Sequence, residues 1–215
     1  ARNLNPWGQT HHWEEACTKT RRSLKVRERK LRLFKIKKNE KVLDLGCGDG
    51  LNVVILRKIG IRNVVGLDIS EELLKEARKQ NPGVKFYLGS GSNLPFKNNY
   101  FNVVLVDSVF HHFMEYKKSL QEIKRVLLPH GRLCFIEPHR SPLRSLYDFV
   151  STLPISSFIP FLKERRVSYL GEIKFMKHWL ATEDRFYKEL KSLGFIERLK
   201  KEGMLFEPNP GYVQK

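Results

Sequence analysis

Between residues 41 and 138 the chain alternates short apolar runs with stretches whose apolar residues recur at helical spacing. KVLDLG (41–46) is a mostly apolar run closed by glycine, the pattern of a strand buried on both faces. LNVVILRKIG (51–60) gathers its apolar residues on one helical face and stops at Gly60. NVVGLDIS (63–70) predicts a second strand. Ser70 is then placed to cap a helix over EELLKEARKQ, whose Glu71 and Glu72 suit the positive end of a helix dipole. Asn81, Pro82 and Gly83 break the chain before a third strand, VKFYLG (84–89), and YFNVVLVDS (100–108) predicts a fourth. A helix over KKSLQEIKRVLL (117–128) is stopped by Pro129 and Gly131, and GRLCFIEP (131–138) predicts a fifth strand.

Alternation at this spacing predicts an α/β fold with a doubly wound, Rossmann-like sheet and helices on both faces. The pattern changes after residue 138. Residues 139–180 carry Pro142, Pro154 and Pro160 among many aromatics, which predicts an insertion of short helices. Thr182 is placed to cap a last helix around 183–193, ended by Gly194. FIERLKKE (195–202) and the segment around 203–214 then predict a closing antiparallel hairpin, for seven strands in a mostly parallel sheet. The expected organisation is one domain. Residues 1–40 form a basic N-terminal helical extension, 41–138 the core, 139–180 an insertion, and 181–215 the closing helix and strands.

Composition narrows this picture only slightly. At 215 residues, with 41% hydrophobic and 29% charged residues, the chain has the make-up of a soluble globular domain with a full core. No apolar run reaches the roughly 18–20 residues needed to span a bilayer, and the first residues lack the apolar segment of a secretory signal. Cys17, Cys47 and Cys134 are an odd set without metal-type spacing, which predicts a reduced, cytoplasmic setting. No CxxC or HExxH occurs, so no protein-built metal site is expected.

Charge adds a question. The net charge is +17, and twelve Lys and Arg residues fall between Lys19 and Lys41 against Glu28 and Glu40. Such a stretch suits a polyanion, RNA above all, or it is a solvated basic helix in a lysine-rich protein.

The candidate chemistry lies in VLDLGCGDG (42–50). Three glycines on alternate positions follow a buried strand, and glycine costs about 0.5–1 kcal/mol relative to alanine in an element interior. A ligand approaching the main chain closely would offset that cost. The G-x-G-x-G spacing differs from the dinucleotide fingerprint G-x-G-x-x-G. Asp44 just before it suits an ammonium-bearing ligand and would repel a pyrophosphate. Asp68 ends the next strand, where a carboxylate can accept both hydroxyls of a ribose.

With GLDIS, FYLGSGSNLPF, YFNVVLVDSVFHHF and LQEIKRVLLPHGRL following in order, residues 41–138 resemble the class I S-adenosylmethionine-dependent methyltransferases. Within them the nearest likeness is the small-molecule, methyltransferase-11 type. The resemblance implies S-adenosylmethionine as cofactor and S-adenosylhomocysteine as product. Asp44 would hold the methionine ammonium. The backbone of Gly46, Cys47 and Gly48 would pass beneath the ligand. Asp68 would take the ribose hydroxyls and Ile69 would pack on the adenine. Ser90, with Gly91 and Ser92 after it, stands where the family often has an acid for the adenine amino group. Asp107 would face the methionine portion. Asn102 and His130 depart from the usual Asp and Gly, away from the expected ligand.

Methyl transfer from a sulfonium needs alignment of the acceptor more than acid chemistry, and a base only where the acceptor arrives protonated. His111 and His112 are the candidate bases, against an architectural role in the turn after strand four. His139 and His178 are weaker candidates, and Glu137, which ends strand five, is placed to orient a substrate. Trp7, His11, His12 and Trp13 form an aromatic cluster of the kind that folds over the cofactor as a lid in related enzymes. The apolar insertion 143–162 suits a roof over an apolar acceptor or a peripheral membrane contact. The expected function is methyl transfer to a small, partly apolar acceptor. An RNA methyltransferase and a non-catalytic binding module of the same fold are the alternatives.

Overall fold

The computed structural model of the chain describes residues 24–113, 116–139, 145–146, 148–150, 153, 160–200 and 209–214; for 160–173, 197–200 and 209–214 only the backbone is described. Helix α1 (Leu24–Leu33) leads into β1 (Val42–Leu45), α2 (Leu51–Lys58), β2 (Val64–Asp68), α3 (Glu71–Gln80) and β3 (Lys85–Leu88). After a long connection come β4 (Phe101–Asp107), a 3₁₀ turn (Phe110–His112), α4 (Tyr116–Val126) and β5 (Leu127–Glu137). A long helix, α5 (Pro160–Ser192), then precedes β6 (Ile196–Lys200) and β7 (Asn209–Gln214).

Five strands run parallel in the order β3-β2-β1-β4-β5. Consecutive strands on either side of β1 lie in opposite directions along the sheet, so the chain winds both ways from a switch between β1 and β4. In such sheets ligands bind at the carboxyl ends of the strands beside that switch. Beyond β5 the backbone of β7 runs antiparallel to it, and β6 runs antiparallel to β7.

Alternate residues of each strand serve two cores. Leu43, Leu45, Val104 and Val106 face a cluster completed by Leu120 and Ile123 of α4 and Trp179, Phe186 and Leu190 of α5. Val42, Val64, Val103 and Leu105 face the other cluster, with Leu31 and Phe34 at α1, Ile55 and Leu56 of α2, and Leu74 and Ala77 of α3. A sheet covered on both faces explains why its strands read as continuous apolar runs. It also fixes the side of each acid. Asp44, Asp68 and Asp107 keep step with Val42, Val64 and Val103, so all three lie on the face covered by α1, α2 and α3.

Several local expectations are met. Ser70 Oγ accepts from the Leu73 N–H at 3.3 Å, capping α3, and Gly194 at φ 81° ends α5. Two expectations fail. Residues 160–192 form one helix, so the short helices and the fresh start at Thr182 are corrected. Pro160 sits in its first position, where a missing N–H costs nothing. Thr182 donates to the His178 carbonyl at 2.8 Å, inside the helix, and meets the Tyr116 hydroxyl at 2.7 Å. Strand β5 also starts at Leu127, ahead of Pro129, because a register shift between Phe101 and Val103 absorbs the irregularity and His130 turns at φ 64°. Among the described residues no helix is long and apolar enough to cross a membrane.

Candidate cofactor site

The glycine loop is held open from several sides. Gly46, at φ 72°, has no room for a side chain: a Cβ there would lie 2.3 Å from a methyl of Val109. Gly48, at φ 52°, is different, because a Cβ there would meet nothing within 4 Å. Its left-handed backbone and the open space above it make a main-chain cradle. Asn81, at the end of α3, is buried and donates to the carbonyls of Gly50 at 3.2 Å and Ala77 at 3.1 Å, tying the loop to that helix. Nothing in the sequence around Asn81 announces this role except its place in the chain break.

Asp68 braces the cradle from β2. Its Oδ2 accepts from the Gly48 N–H at 2.8 Å and its Oδ1 from Ser70 at 2.9 Å. Burial raises the Asp68 carboxyl above its ordinary value, while these two N–H donors pull it down. Ile69 follows at the mouth, 46% exposed despite its apolar side chain. Ser90 is exposed at the end of β3, its hydroxyl 3.0 Å from that of Ser92. Gly91 is buried against the Phe113 ring, which a Cβ would meet at 3.0 Å. The turn Val109–Phe113 therefore spans the site from Gly46 to Gly91. Cys47 is buried, which raises its thiol well above the ordinary range and keeps it protonated.

The strand ends hold the unusual chemistry. Asp44 is fully buried; its Oδ1 takes one long hydrogen bond from Asn52 Nδ2 at 3.4 Å, and its Oδ2 has no donor among the described residues. Asn52 Oδ1 and Asp107 Oδ2 are also buried without a hydrogen-bond donor. Burial, then the like charge of Asp107, raises the Asp44 carboxyl to about 7. Three buried acceptors lacking donors are costly. A primary ammonium carries three donors and a positive charge, which answers both deficits. Beside the open cradle at Gly48 and the exposed Ile69, this donor set fits the amino-acid end of S-adenosylmethionine.

Sequence reasoning missed Asn52, hidden on the buried face of α2, and Arg27 of α1, whose Nε lies 3.5 Å from Asp107 Oδ2.

The histidines sit on the far side of the same turn. Glu137 is buried at the end of β5. Its Oε1 accepts from the N–H groups of Val109 and Phe110 at 2.7 and 2.6 Å, and its Oε2 meets His111 Nδ1 at 2.7 Å. Glu137 thus locks the turn, and is not placed to orient a substrate. His112 packs against His111, the ring centroids 3.9 Å apart and the planes tilted by 47°. Burial, and then His111, push His112 down to about 2, which makes it a poor proton acceptor and speaks against it as the base. His139 Nδ1 pairs with Glu183 at 2.5 Å, and Trp179 donates to the Pro138 carbonyl at 2.6 Å, so α5 clamps the end of β5. Among the described residues, the buried His178 Nε2 has no hydrogen-bond partner. Asn102 Oδ1 accepts from the Lys41 N–H at 2.9 Å, away from the site as expected. Trp7, His11, His12, Trp13 and most of the insertion 143–162 lie outside the described residues.

Residues 43–135 match the family described as "Methyltransferase domain". Over those 93 residues the chain is similar to this family, and the match covers less than half of its length. The methyltransferase domain has relatives among demethylmenaquinone methyltransferases. One from Thermotoga maritima is 30% identical over 139 residues, covering 64% of this chain and 61% of that protein. One from Corynebacterium kroppenstedtii is 40% identical over 124 residues, covering 58% and 52%. The chain spans about half the length of the curated relatives it matches. In fold, it is similar to a SAM-dependent methyltransferase from Aquifex aeolicus, with a TM-score of 0.67 at 19% identity over 96% of this chain and 99% of that one. The methyltransferase domain therefore contains both the glycine loop and the acids, while α1 and α5 lie outside the matched segment.

Proposed function

We propose that this chain transfers a methyl group to a small, partly apolar acceptor of the quinol type. The observation that carries the reading is the nest of three donor-less acceptors, Asp44 Oδ2, Asn52 Oδ1 and Asp107 Oδ2, beside the open main chain at Gly48. Asp44, Asn52 and Asp107 hold the ammonium end. Asp68 turns from bracing Gly48 to receiving the ribose hydroxyls. Ile69 covers one adenine face, and Ser90 to Ser92 line its edge. When bound, S-adenosylmethionine supplies a methyl group activated by a sulfonium.

The chain's remaining task is to present the acceptor in line and to keep water out. His111 is the candidate base for an acceptor that arrives protonated. Glu137 meets its Nδ1, which sets that nitrogen as the donor and makes Nε2 the basic nitrogen of the neutral ring. The demethylmenaquinone methyltransferases among its relatives support a quinol acceptor, as do Leu146 and Phe149, exposed apolar residues of the insertion. We place the protein in the cytoplasm on its unpaired, buried Cys47 and Cys134, and read β6 and β7 as the closing hairpin of a seven-stranded sheet. The RNA alternative rests on the net charge of +17 and the basic stretch 19–41, in which Arg27 and Arg32 are already paired with Asp107 and Glu28. The intact acceptor nest argues against a purely non-catalytic module.

The test is transfer of labelled methyl from S-adenosylmethionine to a demethylated naphthoquinol, to tRNA and to a lipid extract. Label in the quinol supports the reading. Label confined to tRNA would replace it with the RNA alternative.

A further inference from the structure

The acid nest has a neighbour that the matched segment does not include. Arg27 lies on α1, on the same face of the sheet as Asp44, Asp68 and Asp107. Its Nε approaches Asp107 Oδ2 at 3.5 Å in an ion pair that makes no hydrogen bond. Its field also reaches Asp44 and Asp49, offsetting part of the rise that burial imposes on both carboxyls. The helix that carries it is firmly seated: Leu31 and Phe34 are buried in the core, and Glu28 pairs with Lys58 of α2 at 3.0 Å. The arginine side chain is 25% exposed, and among the described residues its guanidinium donates no hydrogen bond.

Two roles are compatible with a cation in that position. It is a stand-in that the ligand's ammonium displaces, or it is an anchor for a group the ligand brings. Charge separates them. Arg27 pairs with Asp107 and its charge reaches Asp44 and Asp49, yet burial and then the like charge of Asp107 still hold the Asp44 carboxyl raised to about 7. Asp44 Oδ2 still lacks a donor among the described residues, so a second cation is accepted there without expelling the first. An amino-acid tail also carries a carboxylate, however, and three neighbouring acids repel it. A guanidinium with an unused planar fork of N–H donors is the group best shaped to offset that repulsion, through paired hydrogen bonds to both oxygens.

We propose that Arg27 binds the carboxylate of the cofactor's amino-acid end and so acts as a positioning residue that ties α1 to the site. The inference rests on the reading of Asp44 as the ammonium site and extends it to the opposite charge. It makes α1 part of the binding apparatus.

Calorimetric titration with two ligands separates the possibilities. The first is S-adenosylhomocysteine; the second is its decarboxylated counterpart, which keeps the amine and the nucleoside. Wild-type protein binds the first more tightly by about tenfold or more, the scale of a lost charge-assisted pair of hydrogen bonds. Arg27→Gln removes that preference by weakening only the carboxylate-bearing ligand, and Arg27→Lys restores part of it. Equal weakening of both ligands, or tighter binding of S-adenosylhomocysteine to Arg27→Gln, overturns the proposal. Equal affinity of wild-type protein for both does so without any variant. Folded wild-type protein that binds neither ligand removes the ammonium site itself, and the arginine anchor with it.

Discussion

Two ends of the same sheet edge treat buried polar groups in opposite ways. At the ends of β4 and β5, Glu137 takes three partners, His139 takes Glu183, and the Trp179 N–H takes the Pro138 carbonyl. At the ends of β1 and β4, Asp44, Asp107 and the neighbouring Asn52 of α2 each leave an oxygen without a hydrogen-bond donor among the described residues. Buried polar groups in folded proteins are nearly always paired. The paired end is architecture that the chain completes by itself. The unpaired end is incomplete until donors arrive from outside. A carboxylate in the first region and a carboxylate in the second are therefore predicted to respond differently to the same kind of substitution.

The largest effect is expected where the architecture is closed. Glu137→Ala leaves two N–H groups and the His111 ring without their partner, and is expected to cost about 3 kcal/mol or more in denaturant unfolding. Asp44→Asn removes a carboxylate whose burial disfavours its charge. At pH 8 it is expected to stabilise the ligand-free protein by about 2 kcal/mol while abolishing measurable S-adenosylhomocysteine binding. A loss of stability in Asp44→Asn similar to that in Glu137→Ala would erase the distinction.

The glycines offer the same contrast. Gly46→Ala drives a methyl into Val109 and is expected to cost about 3 kcal/mol in unfolding free energy. Gly48→Ala meets only open space, so its backbone strain is expected to cost about 1 kcal/mol, with the methyl intruding into the cradle and weakening ligand binding.

The smallest effect is in the pH dependence. In the folded chain the Asp44 carboxyl is raised to about 7 from its ordinary 3.8. Between those values the folded state binds more protons than the unfolded one, so the contribution of Asp44 to stability falls as pH rises through this window. The ionised form is the one that holds an ammonium, so ligand affinity is expected to rise over the same window. Asp44→Asn flattens both trends, measured by thermal unfolding with and without S-adenosylhomocysteine from pH 5 to 8.

Much of this architecture was legible because its signals are local. The runs around Leu43, Val65 and Val104 announce buried strands, Ser70 announces a cap, and the glycines at 46, 48 and 50 announce a close approach to the backbone. Asp44, Asp68 and Asp107 were legible for the same reason: each ends a strand. What escaped depends on distant partners. Arg27 meets an acid eighty positions away, Asn52 looks like one more residue of an amphipathic helix, and Glu137 finds its partners only when β5 lies beside β4. The continuous helix 160–192 escaped because Pro160 reads as a breaker, although it opens the helix, and Thr182 reads as a cap, although its hydroxyl bonds back into the helix.

The central claim is that the oxygens of Asp44, Asn52 and Asp107 that lack a hydrogen-bond donor among the described residues await the cationic end of the cofactor. Calorimetric titration of S-adenosylhomocysteine into wild-type and Asp44→Asn protein at pH 8 tests it most directly. The account predicts saturable binding to the wild type, with a melting temperature that rises with ligand concentration, and no binding to the folded variant. Equal binding to both proteins would contradict it.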